Sequence, residues 1–248
     1  MRSLGIDLSA QPNGTAACLV RWAGAVAVVD DLQQPATDED LLRLAQEADW
    51  VGIDAPFGWP DAFAAAVSNW SSHGGWTGAD SELLAFRLTD RLVRQRVGRW
   101  PLSVSSDKLG RCAWRCCALL DRLEVADRTG NDNVIEVYPG AALSSWGFDH
   151  RRYKSTRAAE RDQSIAARAD LLRSFENGSG GWLVLAERHR HDLERSPHAL
   201  DALVCAFIAR AAAVGETLLP TCDVAEIARR EGWIHLPTGG SFAQLGSA

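Results

Sequence analysis

The chain has 248 residues and a net charge of −6, and 46% of its residues are apolar, enough for one sizeable hydrophobic core. With 23% charged and 8% aromatic residues, the composition excludes a disordered or collagen-like chain. No uninterrupted apolar run approaches about 18 residues, so we expect no membrane-spanning helix. Asp7 lies where a signal peptide needs its apolar stretch, and the six cysteines form no CxxC pair. We therefore predict a cytoplasmic protein with reduced thiols and no membrane partner.

The charge is distributed unevenly along the chain. Met1–Phe86 contains 3 basic and 12 acidic residues, whereas Arg87–Arg190 contains 19 basic and 13 acidic residues. A basic segment of this kind is typical of proteins that bind phosphate-rich partners. However, only Lys108 and Lys154 among the 26 basic residues are lysines, and abundant arginine is also what a GC-rich genome produces. The charge pattern leaves both interpretations open.

Apolar alternation and turn residues predict three strands, a helix and a fourth strand in the first part of the chain. Because the connections between the first three strands are short, these strands should form an antiparallel meander. Thr37 or Asp38 is suited to cap the helix. The inner side of this helix carries Leu41, Leu42, Leu44 and Ala45. The predicted strands are Leu4–Leu8, Thr15–Trp22, Ala25–Leu32 and Trp50–Ala55.

Helical patterns dominate the rest of the chain and enclose one further strand. The predicted helices are Asp61–Trp70, Asp80–Val97, Gly110–Leu123, Thr156–Phe175 and Pro197–Ala213, and the fifth strand is Asn133–Tyr138. These patterns predict an α/β fold in a single domain over residues 1–248. A largely helical insertion at about residues 60–132 separates the fourth strand from the fifth.

Three acidic residues lie inside predicted strands, where structural acids are unusual. Asp7 lies in the first strand, Asp54 ends the fourth, and Glu136 lies in the fifth between Ile135 and Val137. A buried carboxylate without a cationic partner is costly, so such residues usually contact a metal, an arginine or backbone donors. Their position near the ends of separate strands favours a functional role for the set.

A fourth acid, Asp201, lies on the apolar face of a C-terminal helix. Ser196 and Pro197 are typical of a helix start, and Asp201 shares a face with apolar residues three and four positions on. Its side chain should therefore point towards the sheet. His198 lies one turn earlier on a similar face. It is either a residue that orients a carboxylate or contacts substrate, or a packed structural histidine.

Carboxylates from separate strands and a helix can hold one or two hard divalent cations through oxygen ligands. Acid-only ligation favours Mg²⁺ or Mn²⁺ over zinc, and two such cations can activate water and stabilise the leaving oxygen in phosphodiester hydrolysis. The residues predicted to bind metal and carry catalysis are Asp7, Asp54, Glu136 and Asp201.

Five motifs together resemble a prokaryotic family, domain-of-unknown-function family 429, whose members are usually described as predicted nucleases with an RNase H-like fold. The motifs are Gly5-Ile6-Asp7-Leu8-Ser9, Gly52-Ile53-Asp54-Ala55-Pro56, Arg87-Leu88-Thr89-Asp90-Arg91, Glu136-Val137-Tyr138-Pro139 and His198-Ala199-Leu200-Asp201-Ala202-Leu203. Their order carries the resemblance, which extends over nearly the whole chain. The last motif is also similar to the closing helix of Holliday-junction resolvases, which supplies a metal-binding Asp.

The resemblance implies an RNase H-like mixed five-stranded sheet flanked by helices. It also implies a metal-dependent nuclease that hydrolyses phosphodiester bonds of DNA or RNA. In that comparison Asp7, Asp54 and Asp201 match the acids of the first strand, the fourth strand and the final helix, whereas Glu136 is included from its strand position. The insertion departs from the minimal fold, so the substrate structure is left open.

Further candidates for substrate binding lie in the basic segment. Arg87, Arg91 and Arg94 belong to one predicted helix and either bind phosphates through bidentate contacts or form a solvated helix face. Lys108 ends a polar loop that is suited to close over substrate. Together with His198, these residues form the predicted substrate-binding set. Trp59, Trp70, Trp76 and Trp100 either stack on unpaired bases or pack in the protein.

Two alternatives use the same residues differently. Actin-like and sugar-kinase ATPases also begin with a Gly-Ile-Asp strand and a hairpin that receives phosphates, a role that Asn13-Gly14-Thr15 could fill here. The activity would then be phosphoryl transfer from ATP, although those enzymes carry two copies of the core and this chain has room for one. The other alternative is a non-catalytic protein that binds metal and nucleic acid.

Overall fold

The computed structural model describes residues 1–78, 80–155 and 157–247. Six strands form one mixed sheet in the order β5-β4-β1-β2-β3-β6. β2 is antiparallel to β1 and β3, whereas β1, β4 and β5 are parallel to one another and β6 is parallel to β3. The strands are β1 Arg2–Asp7, β2 Ala16–Ala23, β3 Val26–Gln33, β4 Trp50–Asp54, β5 Val134–Glu136 and β6 Leu183–Val184.

Helices cover both faces of this sheet. Their bounds are α1 Asp38–Glu47, α2 Asp61–Ser71, α3 Ser81–Ala85, α4 Leu88–Val97, α5 Gly110–Arg122, α6 Pro139–Ser145, α7 Arg161–Gly178, α8 Glu187–Arg195, α9 Pro197–Ala213 and α10 Ala225–Glu231. Short 3₁₀ helices lie at Pro12–Gly14, Ala158–Glu160 and Ser241–Gln244. Within the described residues, no helix is both long and apolar enough to cross a membrane.

The central helix α9 packs on one face of the sheet, and α1 and α5 pack on the other. α9 is buried along nearly its whole length. Its side of the core includes Phe175, Phe207 and Trp182. On the opposite face, Ile6 and Ile53 pack with apolar residues of α1 and α5. The sheet is therefore buried on both faces, as parallel strands require.

The predicted order of three strands, a helix and a strand is present, and Thr37 caps α1 by accepting a hydrogen bond from the amide of Asp40. α9 has the predicted bounds. Of the residues predicted to face inwards from α1, Leu41 and Leu44 are buried, while Leu42 and Ala45 are half-buried. The order of elements thus follows from local sequence signals.

Three predictions about elements need correction. The sheet has six strands rather than five, because Leu183–Val184 pairs with β3. The predicted helix Asp80–Val97 is two helices, since Phe86 and Arg87 both adopt extended backbone conformations between α3 and α4. The helix predicted from Thr156 begins as α7 at Arg161, and Thr156 itself lies outside the described residues.

Candidate metal centre

Asp7 and Asp54 lie side by side at the carboxyl ends of two parallel strands. β1 and β4 pair in register, so that Gly5 is opposite Gly52 and Asp7 is opposite Asp54. Because side chains alternate between the faces of a sheet, each Asp shares its face with the glycine two residues before it. The repeated Gly-Ile-Asp sequence therefore presents two carboxylates together on the face that α9 covers.

The two glycines allow α9 to lie directly on the strands. A Cβ atom on Gly5 would lie 2.0 Å from the carbonyl oxygen of Ala202 and 2.2 Å from the amide nitrogen of Ala206, and a Cβ on Gly52 would lie 2.7 Å from the carbonyl oxygen of Cys205. These distances leave no room for a side chain. This close approach brings Asp201, in the first turns of α9, to the two strand ends.

The three aspartates converge at one point. One carboxylate oxygen from each of Asp7, Asp54 and Asp201 lies within 4.8 Å of an oxygen of the others. Asp201 is only 2% exposed. Its Oδ1 accepts a hydrogen bond of 2.8 Å from the hydroxyl of Tyr153, and its Oδ2 lies 2.6 Å from the ammonium of Lys154. We call Asp7, Asp54 and Asp201 the aspartate cluster.

The partners of the other two aspartates differ. Oδ2 of Asp7 lies 2.6 Å from Nδ1 of His198, a half-exposed side chain at the start of α9. Among the residues that the structure describes, no group donates a hydrogen bond to the carboxylate of Asp54. Asp54 is half-buried, so its carboxylate is open to solvent. The oxygens of Asp54 are thus available to a cation.

The electrostatics of the aspartate cluster indicate an excess of negative charge. Burial raises the pKa of Asp54 well above its usual range; the nearby Lys154 opposes this shift, and the charges of Asp7 and Asp201 add to it. Burial likewise raises the pKa of Asp201 to about 6 against the opposing charge of Lys154. The hydrogen bond to Asp7 raises the pKa of His198. A further positive charge would relieve this repulsion.

The donor set fits a hard divalent cation. Carboxylate oxygens are the ligands that Mg²⁺ and Mn²⁺ prefer, and the aspartate cluster contains no thiolate. Asp7, Asp54 and Asp201 could therefore hold a metal ion.

The fourth predicted ligand, Glu136, belongs to a different cluster. Its two carboxylate oxygens accept hydrogen bonds of 2.7 and 2.8 Å from the guanidinium of Arg87, and one of them also accepts from the amide of Phe57. Arg87 also contacts both oxygens of Asp90, and all three charged side chains are buried. A metal-ligand role for Glu136 does not fit this arrangement, because Arg87 already neutralises its carboxylate.

The contacts of Arg87 with Asp90 and Glu136 contradict its predicted role in substrate binding. Its guanidinium is 2% exposed and fully engaged with the two acids, so it cannot reach a polymer phosphate. Arg91 is half-buried and donates to the carbonyl of Phe86. Arg94 is exposed, donates to the carbonyl of Gly98 and lies over the ring of Trp100. The three arginines therefore do not form one phosphate-binding face.

The remaining predicted substrate-binding residues lie at the surface. Lys108 is exposed in the loop before α5 and has no hydrogen bond or ion pair among the described residues. Of the predicted stacking tryptophans, Trp70 and Trp76 are 63% and 52% exposed, whereas Trp100 stacks on Phe86. Lys108 is thus accessible to a ligand.

Sequence reasoning missed Lys154 and Tyr153 at the aspartate cluster. Both lie in the irregular segment between α6 and α7, where no periodicity predicts the direction of a side chain. The available signal was weak, since Lys154 is one of only two lysines in the chain.

Comparison with known proteins identifies the family to which the chain belongs. No curated protein and no solved structure matches the chain. The model of the family described as "Protein of unknown function (DUF429)" matches residues 5–225, a span that contains all three residues of the aspartate cluster. The chain therefore belongs to the DUF429 family.

Proposed function

We propose that this protein is a metal-dependent nuclease that hydrolyses phosphodiester bonds of DNA or RNA. The observation that carries the proposal is the convergence of Asp7, Asp54 and Asp201, one of which has no hydrogen-bond donor among the described residues. Their side chains would hold Mg²⁺ or Mn²⁺. Such ions supply an activated water molecule and stabilise the departing oxygen of a phosphodiester.

The sheet topology supports an RNase H-like core. Without β6, the strand order is β5-β4-β1-β2-β3, and β2 runs antiparallel to the other four strands. The resemblance of the sequence motifs to predicted RNase H-like nucleases leads to the same expectation. The acids lie at the carboxyl ends of the parallel strands β1 and β4, where α/β sheets commonly bind ligands.

His198 is suited to handle protons beside the metal ligands. Its Nδ1 lies 2.6 Å from the carboxylate of Asp7, which orients the ring, so its Nε2 is the nitrogen left to exchange protons with solvent or substrate. The side chain is 43% exposed, which permits this exchange. The contact also positions Asp7, so His198 contributes to the site by orientation as well.

Exposed cations near the site support a polyanionic substrate. Arg99 is exposed and lines a small cavity together with Tyr138, and Tyr138 also lines the cavity that includes Asp7 and Asp54. Lys108 precedes Leu109, which lines a cavity that also includes Asp7 and Asp54. Both cations come from the insertion. We expect them to contact the phosphates that flank a scissile bond.

The test is cleavage of oligonucleotides by purified protein in the presence of Mn²⁺. Single-stranded, duplex, hybrid and branched DNA and RNA should be compared, and the products should carry a 3′-hydroxyl and a 5′-phosphate. Asp7→Asn and Asp201→Asn should each lower turnover by at least about a hundredfold while largely sparing binding. Asp149→Asn, which alters an exposed carboxylate outside the cluster, is the matched control and should retain activity.

Two outcomes would overturn the nuclease proposal. Cleavage that persists in both aspartate variants would indicate a contaminating nuclease. Metal-dependent ATP hydrolysis without cleavage of any polymer would identify a phosphotransferase instead.

A further inference from the structure

A cavity of about 310 Å³ opens beside the aspartate cluster. Asp7 and Asp54 form one part of its wall. Most of the remaining wall is apolar and comes from several parts of the chain, among them Ala55 after β4 and Leu102 and Leu109 in the loop between α4 and α5. We call this space the cluster cavity. Its lining combines carboxylates with apolar side chains.

The cluster cavity has polar groups besides the two aspartates. Tyr138 and Lys154 line the cavity, and Lys154 also reaches Asp201. Arg87 and Glu136 contribute to the wall as well, but they neutralise each other through two hydrogen bonds. Lys154 differs from Arg87 because its side chain is 46% exposed. Its ammonium can therefore leave Asp201 and contact a ligand in the cavity.

We propose that the cluster cavity binds a single unpaired nucleotide, with its phosphate beside the aspartate cluster and Lys154 and its base against the apolar wall. The inference rests on the proposed nuclease function and specifies its substrate as a strand with an unpaired nucleotide at the cleavage point.

The size and chemistry of the cavity argue for this ligand. At about 310 Å³, the cavity lies at the lower end of the range of about 300–1,000 Å³ that is typical of small-molecule sites. It suits one base with its sugar and is too small for a base pair. Apolar walls pack against the flat faces of a base, as they do in enzymes that flip a nucleotide out of a duplex. A phosphate beside the aspartate cluster is attracted to Lys154 and to a bound divalent cation.

Calorimetric titration tests the pocket independently of cleavage. Adenosine 5′-monophosphate and ribose 5-phosphate carry the same phosphate and differ in the base, and each is titrated with and without Mn²⁺. Adenosine 5′-monophosphate should bind at least about tenfold more tightly, because only its base buries apolar surface. Equal affinities, or no binding of either probe, would overturn the proposal.

A matched pair of leucine variants locates the binding. Leu102→Ala removes an apolar wall of the cluster cavity, whereas Leu83→Ala removes an exposed leucine of α3 that does not line it. Leu102→Ala should weaken adenosine 5′-monophosphate binding about fivefold and leave ribose 5-phosphate binding unchanged. Leu83→Ala should change neither. Unchanged nucleotide affinity in Leu102→Ala would place the nucleotide elsewhere and overturn the proposal.

The two proposals fail in distinguishable ways. A protein that prefers adenosine 5′-monophosphate over ribose 5-phosphate but cleaves no polymer keeps the nucleotide pocket and loses the nuclease function. A protein that cleaves paired and unpaired oligonucleotides equally, and binds both probes equally, keeps the nuclease function and loses the pocket.

Discussion

Lys154 holds an ammonium group against the aspartate cluster, where a divalent cation would otherwise supply the positive charge. Its Nζ lies 2.6 Å from Oδ2 of Asp201 and 5.5 Å from the centre of the Tyr153 ring. Burial disfavours the charged ammonium, but the carboxylates of Asp201 and Asp54 raise the pKa of Lys154 well above its usual range. Under the proposed metal binding, a metal ion and Lys154 would compete for the same carboxylate.

This competition predicts the behaviour of Lys154→Met. Removing the ammonium should raise the affinity for Mn²⁺ about tenfold, since the ion no longer displaces a bound cation. The melting temperature of the metal-free protein should fall, because the carboxylates lose their countercharge. Calorimetry and thermal unfolding measure the two effects. Lys108→Met removes the same charge from a lysine that has no ion pair with the aspartate cluster, and it should show neither effect. Weaker Mn²⁺ binding by Lys154→Met would contradict the competition.

Glu136→Gln distinguishes a structural role for Glu136 from a metal-binding role. The substitution removes one acid from the buried Asp90–Arg87–Glu136 group and should lower the free energy of unfolding by about 3 kcal/mol. A metal ion bound at the aspartate cluster would stabilise the folded protein, and this stabilisation by Mn²⁺ should be as large in the variant as in the wild type, since the cluster is intact. Urea unfolding with and without Mn²⁺ measures both. Loss of the Mn²⁺ effect in this variant would restore Glu136 as a ligand.

At the residue scale, sequence signals identify acids in unusual places but not their partners. Asp7, Asp54 and Glu136 all stand out because they interrupt apolar strands. What separates Glu136 from the other two is its contact with Arg87, which lies 49 residues away in the chain. Such a long-range contact has no local signal.

At the scale of elements, the site depends on the contact between α9 and the two glycines. Gly5 and Gly52 have the helix backbone where a side chain would be, so each position tolerates only a hydrogen. The same contact sets the height of Asp201 above Asp7 and Asp54. The packing of α9 and the convergence of the three carboxylates are thus two results of one close approach.

Gly5→Ala tests this contact. The added Cβ meets the carbonyl oxygen of Ala202 at 2.0 Å, which is backbone that cannot rotate away. The free energy of unfolding should fall by about 3 kcal/mol or more, and the stabilisation by Mn²⁺ should shrink as Asp201 moves away. Gly110→Ala, at a helical position with nothing within 4 Å, is the control and should not destabilise the protein. Equal urea midpoints for the two variants would contradict the packing argument.

The elements differ in how well sequence patterns predict them. α9 is predicted from end to end because Ser196 and Pro197 give a clear start and its apolar pattern is long. The break before α4 was missed, although Asp90 accepts a hydrogen bond from the amide of Arg87 and so marks a helix start. β6 has only two residues, too few for local propensity to predict a strand. Its pairing with β3 stabilises the extended conformation instead.

At the scale of the whole molecule, the C-terminal segment ties the insertion to the sheet. The carboxylate of Glu231 accepts hydrogen bonds from the amides of Asp61 and Leu88, at the starts of α2 and α4. Ile234 forms a parallel bridge with Glu136 at the edge of the sheet. His235 is 2% exposed and lies between Thr217 and Thr129. Residues distant in sequence therefore hold the loops around the site.

His235 makes part of the stability dependent on pH. The carbonyl of Thr129 can only accept, so Nε2 of the neutral ring carries the proton and Nδ1 accepts from the hydroxyl of Thr217. Burial lowers the pKa of His235 from 6.5 to about 4, although the hydrogen bond to Thr129 opposes the shift. Between these values the unfolded chain binds more protons than the folded one. This contribution is complete above pH 6.5 and is lost as the pH falls to about 4.

His235→Gln isolates that contribution. The difference in unfolding free energy between wild type and variant should shrink by about 3 kcal/mol from pH 7 to pH 4, since one pKa unit corresponds to about 1.4 kcal/mol. Other titrating groups are common to both proteins and cancel in the difference. Urea unfolding at a series of pH values gives the curve. A difference that stays constant over this range would show that His235 is not held neutral.

The in-register pairing of β1 with β4 also means that metal binding at the aspartate cluster would report whether a refolded chain has the correct strand alignment. A slip of one residue would turn Asp7 or Asp54 towards α1 and α5, while the content of helix and strand would barely change. Circular dichroism would then count misregistered chains as native. Under the proposed metal chemistry, the number of Mn²⁺ ions bound per chain would count only molecules whose two strands had found their correct alignment.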